Sequence, residues 1–133
     1  MNPQTGRPAG ANGDDGTIVR TARGMLMGQS LAGGVTAFRG ISYAEPPVGN
    51  LRWKPPVPAA RWVGVRPAID FGAACVQVGY VPGSVYGREM RRMSEDCLFL
   101  NVWRPPQATH APVMVWIHGG ALICKKLRQH LAG

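Results

Sequence analysis

No apolar run in this 133-residue chain approaches the roughly 18–20 residues of a membrane-spanning helix, so a membrane partner is not expected. No heptad, Gly-X-Y period or single-residue bias occurs, which excludes coiled coil, collagen and low-complexity chain. None of the three cysteines, Cys75, Cys97 and Cys124, sits in a C-x-x-C. The spacing of His118, Cys124 and His130 fits no zinc site, so no metal is expected. Neither G-x-x-x-x-G-K-[ST] nor G-x-G-x-x-G is present, and no cofactor is expected. There is no N-x-[ST] sequon, and the amino terminus lacks the apolar stretch of a secretory signal. The default is therefore a cytoplasmic chain with reduced thiols, the alternative a secreted one whose signal has been removed.

Acidic residues are also scarce. Seven stand against 15 basic ones, for a net charge of +8. Such a balance raises nucleic acid as a partner, because phosphate binding needs clustered cations. Only Arg88/Arg91/Arg92 and Lys125/Lys126/Arg128 cluster here, and no zinc-finger, helix-turn-helix or aromatic-basic RNA pattern accompanies them. A solvated basic surface is the preferred reading, and nucleic acid is disfavoured.

What the chain does have is apolar residues, at 45%, and turn formers, at 18 glycines and 12 prolines. The glycine and proline share is close to double the usual ~12%, which leaves little room for long helices. Residues 1–16 are polar and Gly/Pro-rich and read as a disordered leader. Thr17-Ile18-Val19-Arg20-Thr21 and Met25-Leu26-Met27 are short β-type runs around Ala22-Arg23-Gly24, a hairpin signal. Residues 28–34 turn the chain into Val35-Thr36-Ala37-Phe38, with glycines suited to positive-φ turn positions. Six prolines lie within residues 45–67, predicting extended, irregular chain in which Trp53 and Trp62 lie against a core. Leu98-Phe99-Leu100-Asn101-Val102-Trp103 and Val113-Met114-Val115-Trp116-Ile117 both read as buried strands. The second is continuously apolar, the pattern of a strand covered on both faces.

Directly after that second strand comes His118-Gly119-Gly120-Ala121. A strand that delivers H-G-G-A at its carboxyl end can present backbone N–H groups to the oxyanion of an acyl-transfer intermediate. The glycines allow the sharp turn and the close approach that a Cβ would block. Preorganised donors of this kind stabilise the transition state by about 2.7–4 kcal/mol each.

The stretch Phe38-Arg39-Gly40-Ile41-Ser42-Tyr43-Ala44-Glu45-Pro46-Pro47-Val48-Gly49, followed by Leu51-Arg52-Trp53-Lys54-Pro55-Pro56, closely resembles the amino-terminal region of type B carboxylesterases, which include p-nitrobenzyl esterases and cholinesterases. Ser94-Glu95-Asp96-Cys97-Leu98-Phe99-Leu100-Asn101-Val102-Trp103-Arg104-Pro105 resembles that family's second signature, and residues 112–121 its oxyanion strand and loop. The resemblance implies an incomplete α/β-hydrolase fold over residues 17–121, β-rich with Pro/Gly-rich loops, acting on an ester substrate in a full-length parent. It also implies that Gly120 and Ala121 donate to the oxyanion while Gly119 supplies the turn, and that His118 is structural and not the catalytic base. By the same resemblance Cys75 and Cys97 are a candidate disulfide, and Arg52 and Glu95 a structural ion pair.

Past Ala121 the basic tail, residues 122–133, is unlike the family; an altered reading frame or an early stop would produce such an ending. No G-x-S-x-G elbow surrounds Ser30, Ser42, Ser84 or Ser94, so the nucleophile and its triad partners are missing from these residues. The expectation is an amino-terminal fragment of a serine ester hydrolase, inactive alone. The alternative is a non-catalytic basic protein that binds nucleic acid or an acidic partner. The apolar strand at residues 113–117 needs neighbours on both sides, so the isolated chain is expected to be loosely folded or to self-associate through exposed strand edges.

Overall fold

The computed structural model describes residues 17–77 and 92–118. Six strands form two three-stranded sheets: β1 (Ile18–Arg20), β2 (Met25–Met27), β3 (Gln29–Ser30), β4 (Thr36–Ser42), β5 (Val65–Pro67) and β6 (Phe99–Arg104). The first sheet has the order β1-β2-β5, the second β3-β4-β6. Helical structure among the described residues is limited to two 3₁₀ turns, Ala32–Gly34 and Gly49–Leu51. None of it is long and apolar enough to cross a membrane.

The β1–β2 hairpin forms where the two β-type runs predicted it, closed by the Thr21 N–H donating to the Gly24 carbonyl at 2.8 Å. The Thr21 hydroxyl donates to the same carbonyl at 2.8 Å. Gly33 (φ 70°) lets the next turn reverse the chain into β4, which pairs antiparallel with β3. β4 is longer than the sequence suggests because it continues across Gly40. Between Phe38 and Ile41 the register with β6 slips by one residue, so the strand bulges there. Gly40 takes φ 65°, and its N–H donates to Asn101 Oδ1 at 2.9 Å, a side-chain partner supplied by β6 itself.

Ala68 joins the two sheets. Its N–H donates to the Met27 carbonyl and its carbonyl accepts the Arg39 N–H, both at 2.7 Å. Around this junction lies a small core of Leu26, Phe38 and Ala68, with Val19, Ile41 and Trp62 packed on it. Leu26 and Phe38 are the only large buried side chains among the described residues, and the other buried apolar ones are alanines. Burial of a side chain such as Leu or Phe contributes about 1.5–3 kcal/mol, so this core is modest.

Residues 45–67 are irregular, as six prolines require, apart from the 3₁₀ turn Gly49–Leu51 and β5, which runs parallel to β2 at the sheet edge and ends at Pro67. Trp62 packs as expected: its Nε1–H donates to the Met25 carbonyl at 2.9 Å and the Arg66 guanidinium lies 4.5 Å from its ring centre. Trp53 does not. It is 92% exposed, on backbone with a positive φ of 60°.

Two strand expectations are corrected. β6 is not buried on both faces: Leu100 and Val102 point to solvent, because no second layer covers that side among the described residues. Residues 113–117 form no strand, and their side chains are 62–90% exposed. An apolar run becomes a strand only when flanking strands accept its backbone hydrogen bonds. In the preceding connection Pro105, Pro106 and Pro112 donate no backbone hydrogen bond, and Gln107 and His110 take positive φ.

Candidate functional site

Gly119, Gly120 and Ala121, the expected oxyanion loop, lie outside the described residues, as do the leader at 1–16 and the tail at 122–133. The structure reaches their threshold at His118, which is half-buried at the end of the exposed run 113–117.

The other candidate residues converge on one short segment, 92–98, that leads into β6. Its backbone is tied to the chain after β5 by the Ala74 N–H donating to the Arg92 carbonyl (3.0 Å) and the Ser94 N–H donating to the Ala74 carbonyl (2.9 Å). The Ser94 hydroxyl oxygen accepts the Asp96 N–H at 3.1 Å, a local turn that shapes the approach to the strand.

On this segment Glu95 meets Arg52, with Nη2 and Oε1 2.7 Å apart. Arg52 follows the 3₁₀ turn Gly49–Leu51 and donates its own N–H to the Gly49 carbonyl at 3.2 Å, which sets the direction of its side chain. Both side chains are about half exposed, at 56% and 44%, so the pair holds the Pro-rich loop to the segment in a solvent-screened setting. The guanidinium also lies 5.8 Å from the Trp53 ring centre.

On the same segment Cys97 brings its sulfur within 2.7 Å of the Cys75 sulfur, both half-buried. Cys75 is placed by the Ala74 bridge just described, and its carbonyl accepts from Gln77 Nε2 at 3.0 Å. Two side-chain pairs, separated by 43 and 22 positions in sequence, thus tie the entry to β6 to earlier parts of the chain. β6 in turn precedes the connection to residues 113–118. The arrangement braces the segment that leads into β6.

Asn101 and Arg39 belong to the same support and were missed in the sequence. Arg39 Nη1 donates to Gln29 Oε1 (2.8 Å) and to the Ile69 carbonyl (3.1 Å), and its guanidinium stands 5.2 Å from the Phe71 ring centre. The only available signal was their place within the motif stretches around Phe38 and Phe99. No group of three or more His, Cys, Asp or Glu side chains able to hold a metal ion occurs among the described residues.

The model of the carboxylesterase family matches residues 15–131, a span that includes the H-G-G-A loop and ten residues beyond it. A fumonisin B1 esterase of Sphingopyxis macrogoltabida is 42% identical over 122 residues, covering 87% of this chain and 21% of that protein. A mouse cholinesterase is 44% identical over 112 residues, covering 77% of this chain and 19% of its own. Among solved structures, a thermophilic PNB esterase superimposes with a TM-score of 0.71 at 41% identity, and a Geobacillus stearothermophilus carboxylesterase with 0.68 at 40%. Each structural match covers 82% of this chain and 22% or 21% of the other. The chain therefore spans about a fifth of the length of the relatives it matches, and its two sheets are part of an α/β-hydrolase fold. By sequence match and by superposition alike, the chain belongs to the carboxylesterase family.

Proposed function

We propose that these residues supply the amino-terminal part of a serine carboxylic-ester hydrolase, with Gly120 and Ala121 as backbone oxyanion donors and Gly119 as the turn before them. The observation that carries the reading is the family match, which runs through His118-Gly119-Gly120-Ala121 without leaving the chain. The substrate is a carboxylic ester. Its acyl carbon is attacked by a serine, and the charge that gathers on the carbonyl oxygen is held by N–H groups fixed before the reaction begins.

Donors without a nucleophile do not hydrolyse esters at an enzymatic rate. A triad-less site retains only what oxyanion donors and binding provide. None of the four serines of the 133 residues stands in a G-x-S-x-G, so this chain by itself is inactive. The Arg52–Glu95 pair and the neighbouring Cys75 and Cys97 serve the loop by positioning: they hold the approach to β6, and β6 sets where the connection to residue 118 begins.

The test is hydrolysis of p-nitrophenyl acetate and butyrate by the purified 133-residue protein, with intact-mass analysis after a fluorophosphonate probe. The expected rate equals that of a variant carrying Ser30→Ala, Ser42→Ala, Ser84→Ala and Ser94→Ala together, with no adduct. A burst of nitrophenol with a covalent adduct on one of those serines overturns the reading.

A further inference from the structure

Side chains alternate along a strand, so residues three apart ordinarily face opposite sides. Phe38 and Ile41 are three apart in β4, yet both belong to the one core around Leu26 and Ala68. The bulge makes this possible. Phe38 pairs with Val102 and Ile41 with Leu100, so Arg39 and Gly40 together oppose Asn101 alone. Their two N–H groups go to different partners: that of Arg39 to the Ala68 carbonyl at 2.7 Å, that of Gly40 to Asn101 Oδ1 at 2.9 Å. At this rung a side chain of β6 stands where a ladder ordinarily offers a carbonyl.

Gly40 permits a bulge, but nothing in a glycine selects the residue opposite it. The composition of β6 does. In Phe99-Leu100-Asn101-Val102-Trp103-Arg104 only Asn101 has a side-chain acceptor. The offset then carries past the bulge. The Tyr43 N–H donates to the Leu98 carbonyl at 3.2 Å, which leaves Ser42 and Phe99 opposite each other as a non-hydrogen-bonded pair. The Phe99 ring lies directly against Gly72, where a Cβ would collide with it. A one-residue slip of β6 would move it about 3.3 Å along β4 and turn Phe99 to the other face. Glu95 and Cys97, just before β6, would then leave their partners Arg52 and Cys75.

We propose that Asn101 is a positioning residue: by accepting the Gly40 N–H, its side-chain oxygen fixes the one-residue offset of β6 on β4. Through that offset it places the braced segment 92–98 at one end of β6 and the start of the connection towards residue 118 at the other. What is thereby positioned for catalysis rests on the ester-hydrolase reading. The offset does not, and the experiment reads the offset alone.

The experiment is NMR of the isotope-labelled 133-residue protein, comparing Asn101→Leu, which keeps the size and removes the acceptor, with Asn101→Asp, which keeps an acceptor oxygen. In the unsubstituted protein the Gly40 amide exchanges slowly, and Ser42 and Phe99 show the short Hα–Hα contact of a non-hydrogen-bonded pair. Asn101→Leu is expected to speed Gly40 exchange by roughly tenfold or more and to abolish the Ser42–Phe99 contact. Asn101→Asp is expected to retain both. The Arg20–Met25 rung of the β1–β2 hairpin, remote from Asn101 in the pairing, persists in both variants. The proposal is overturned if Asn101→Leu keeps the Ser42–Phe99 contact, or if Asn101→Asp loses it as well. Loss of the Arg20–Met25 rung in Asn101→Leu also overturns it, by assigning Asn101 a general packing role. So does absence of the Ser42–Phe99 contact from the unsubstituted protein.

Discussion

Replacing Gly40 with alanine tests how the second sheet is built. Gly40 sits in the β4 bulge at φ 65°, where an added Cβ collides with the Asp70 carbonyl oxygen and comes within 3.0 Å of the Gly72 nitrogen. Both neighbours are backbone atoms, so neither can rotate away. The left-handed conformation costs an alanine about 1–2 kcal/mol, and overfilling a packed site costs roughly 1–3 kcal/mol more. The expected loss is therefore about 2–5 kcal/mol. Gly33 provides the control, because it has nearly the same φ, 70°, and nothing within 4 Å of its added Cβ. Gly33→Ala meets the conformational cost alone, about 1 kcal/mol after the stiffer unfolded chain is allowed for. In urea, with a slope of roughly 1–2 kcal/mol per molar for a small domain, Gly33→Ala moves the midpoint down by about 0.5–1 M. A core with two large side chains puts the total at the low end of the usual ~5–15 kcal/mol, so Gly40→Ala leaves little or no folded baseline. Tryptophan fluorescence at low protein concentration follows both variants, reporting on half-buried Trp62 and Trp103. Equal midpoint shifts for the two alanines would refute the close approach of residues 70–72 to the bulge.

A double-mutant cycle of Arg52→Gln and Glu95→Gln is expected to give a coupling of about 0.2–1 kcal/mol that shrinks as salt is added, since both side chains are half exposed. A coupling several times larger and indifferent to salt contradicts that geometry. Incubation with glutathione disulfide is expected to join Cys75 to Cys97, leaving one titratable thiol, Cys124, and raising stability by about 3 kcal/mol for a loop of this length. Peptide mapping that finds Cys124 in the bridge refutes the pairing.

The hairpin of β1 and β2 was legible because it is local: two short β-type runs lie on either side of Ala22-Arg23-Gly24, close enough in sequence to pair. β4 was legible only up to Phe38. Gly40 reads as a breaker in sequence, and its role as a bulge depends on Asn101, 61 positions away. β5 was hidden inside a proline-rich loop because Val65 and Arg66 become a strand only when β2 lies beside them. Residues 113–117 mislead for the opposite reason, since apolarity marks what a segment can bury and not whether anything is there to bury it. Of two tryptophans in one loop, the one that packs is the one whose indole N–H reaches a strand carbonyl, and nothing in the loop's composition distinguishes Trp62 from Trp53. The pairs Arg52–Glu95 and Cys75–Cys97 were reachable through family resemblance alone, because no local pattern brings such distant positions together.

The pairing of β4 with β6 also sets a timetable for synthesis. Its outermost rung joins Thr36 to Arg104, so about 70 residues must follow Thr36 before the ladder can close, roughly 3–14 s at 5–20 residues per second. The β1–β2 hairpin needs no such wait and is complete once Met27 has emerged. During that interval β4 has only the two residues of β3 paired with it as a strand, and Phe38 waits for Trp62 and Ala68 before its core contacts can form. A ribosome that pauses between codons 43 and 98 prolongs this exposure, and a holdase that recognises extended apolar chain has its longest opportunity there. Crosslinking of such a chaperone to nascent chains of graded length should therefore rise after residue 42 and fall once β6 is outside the exit tunnel.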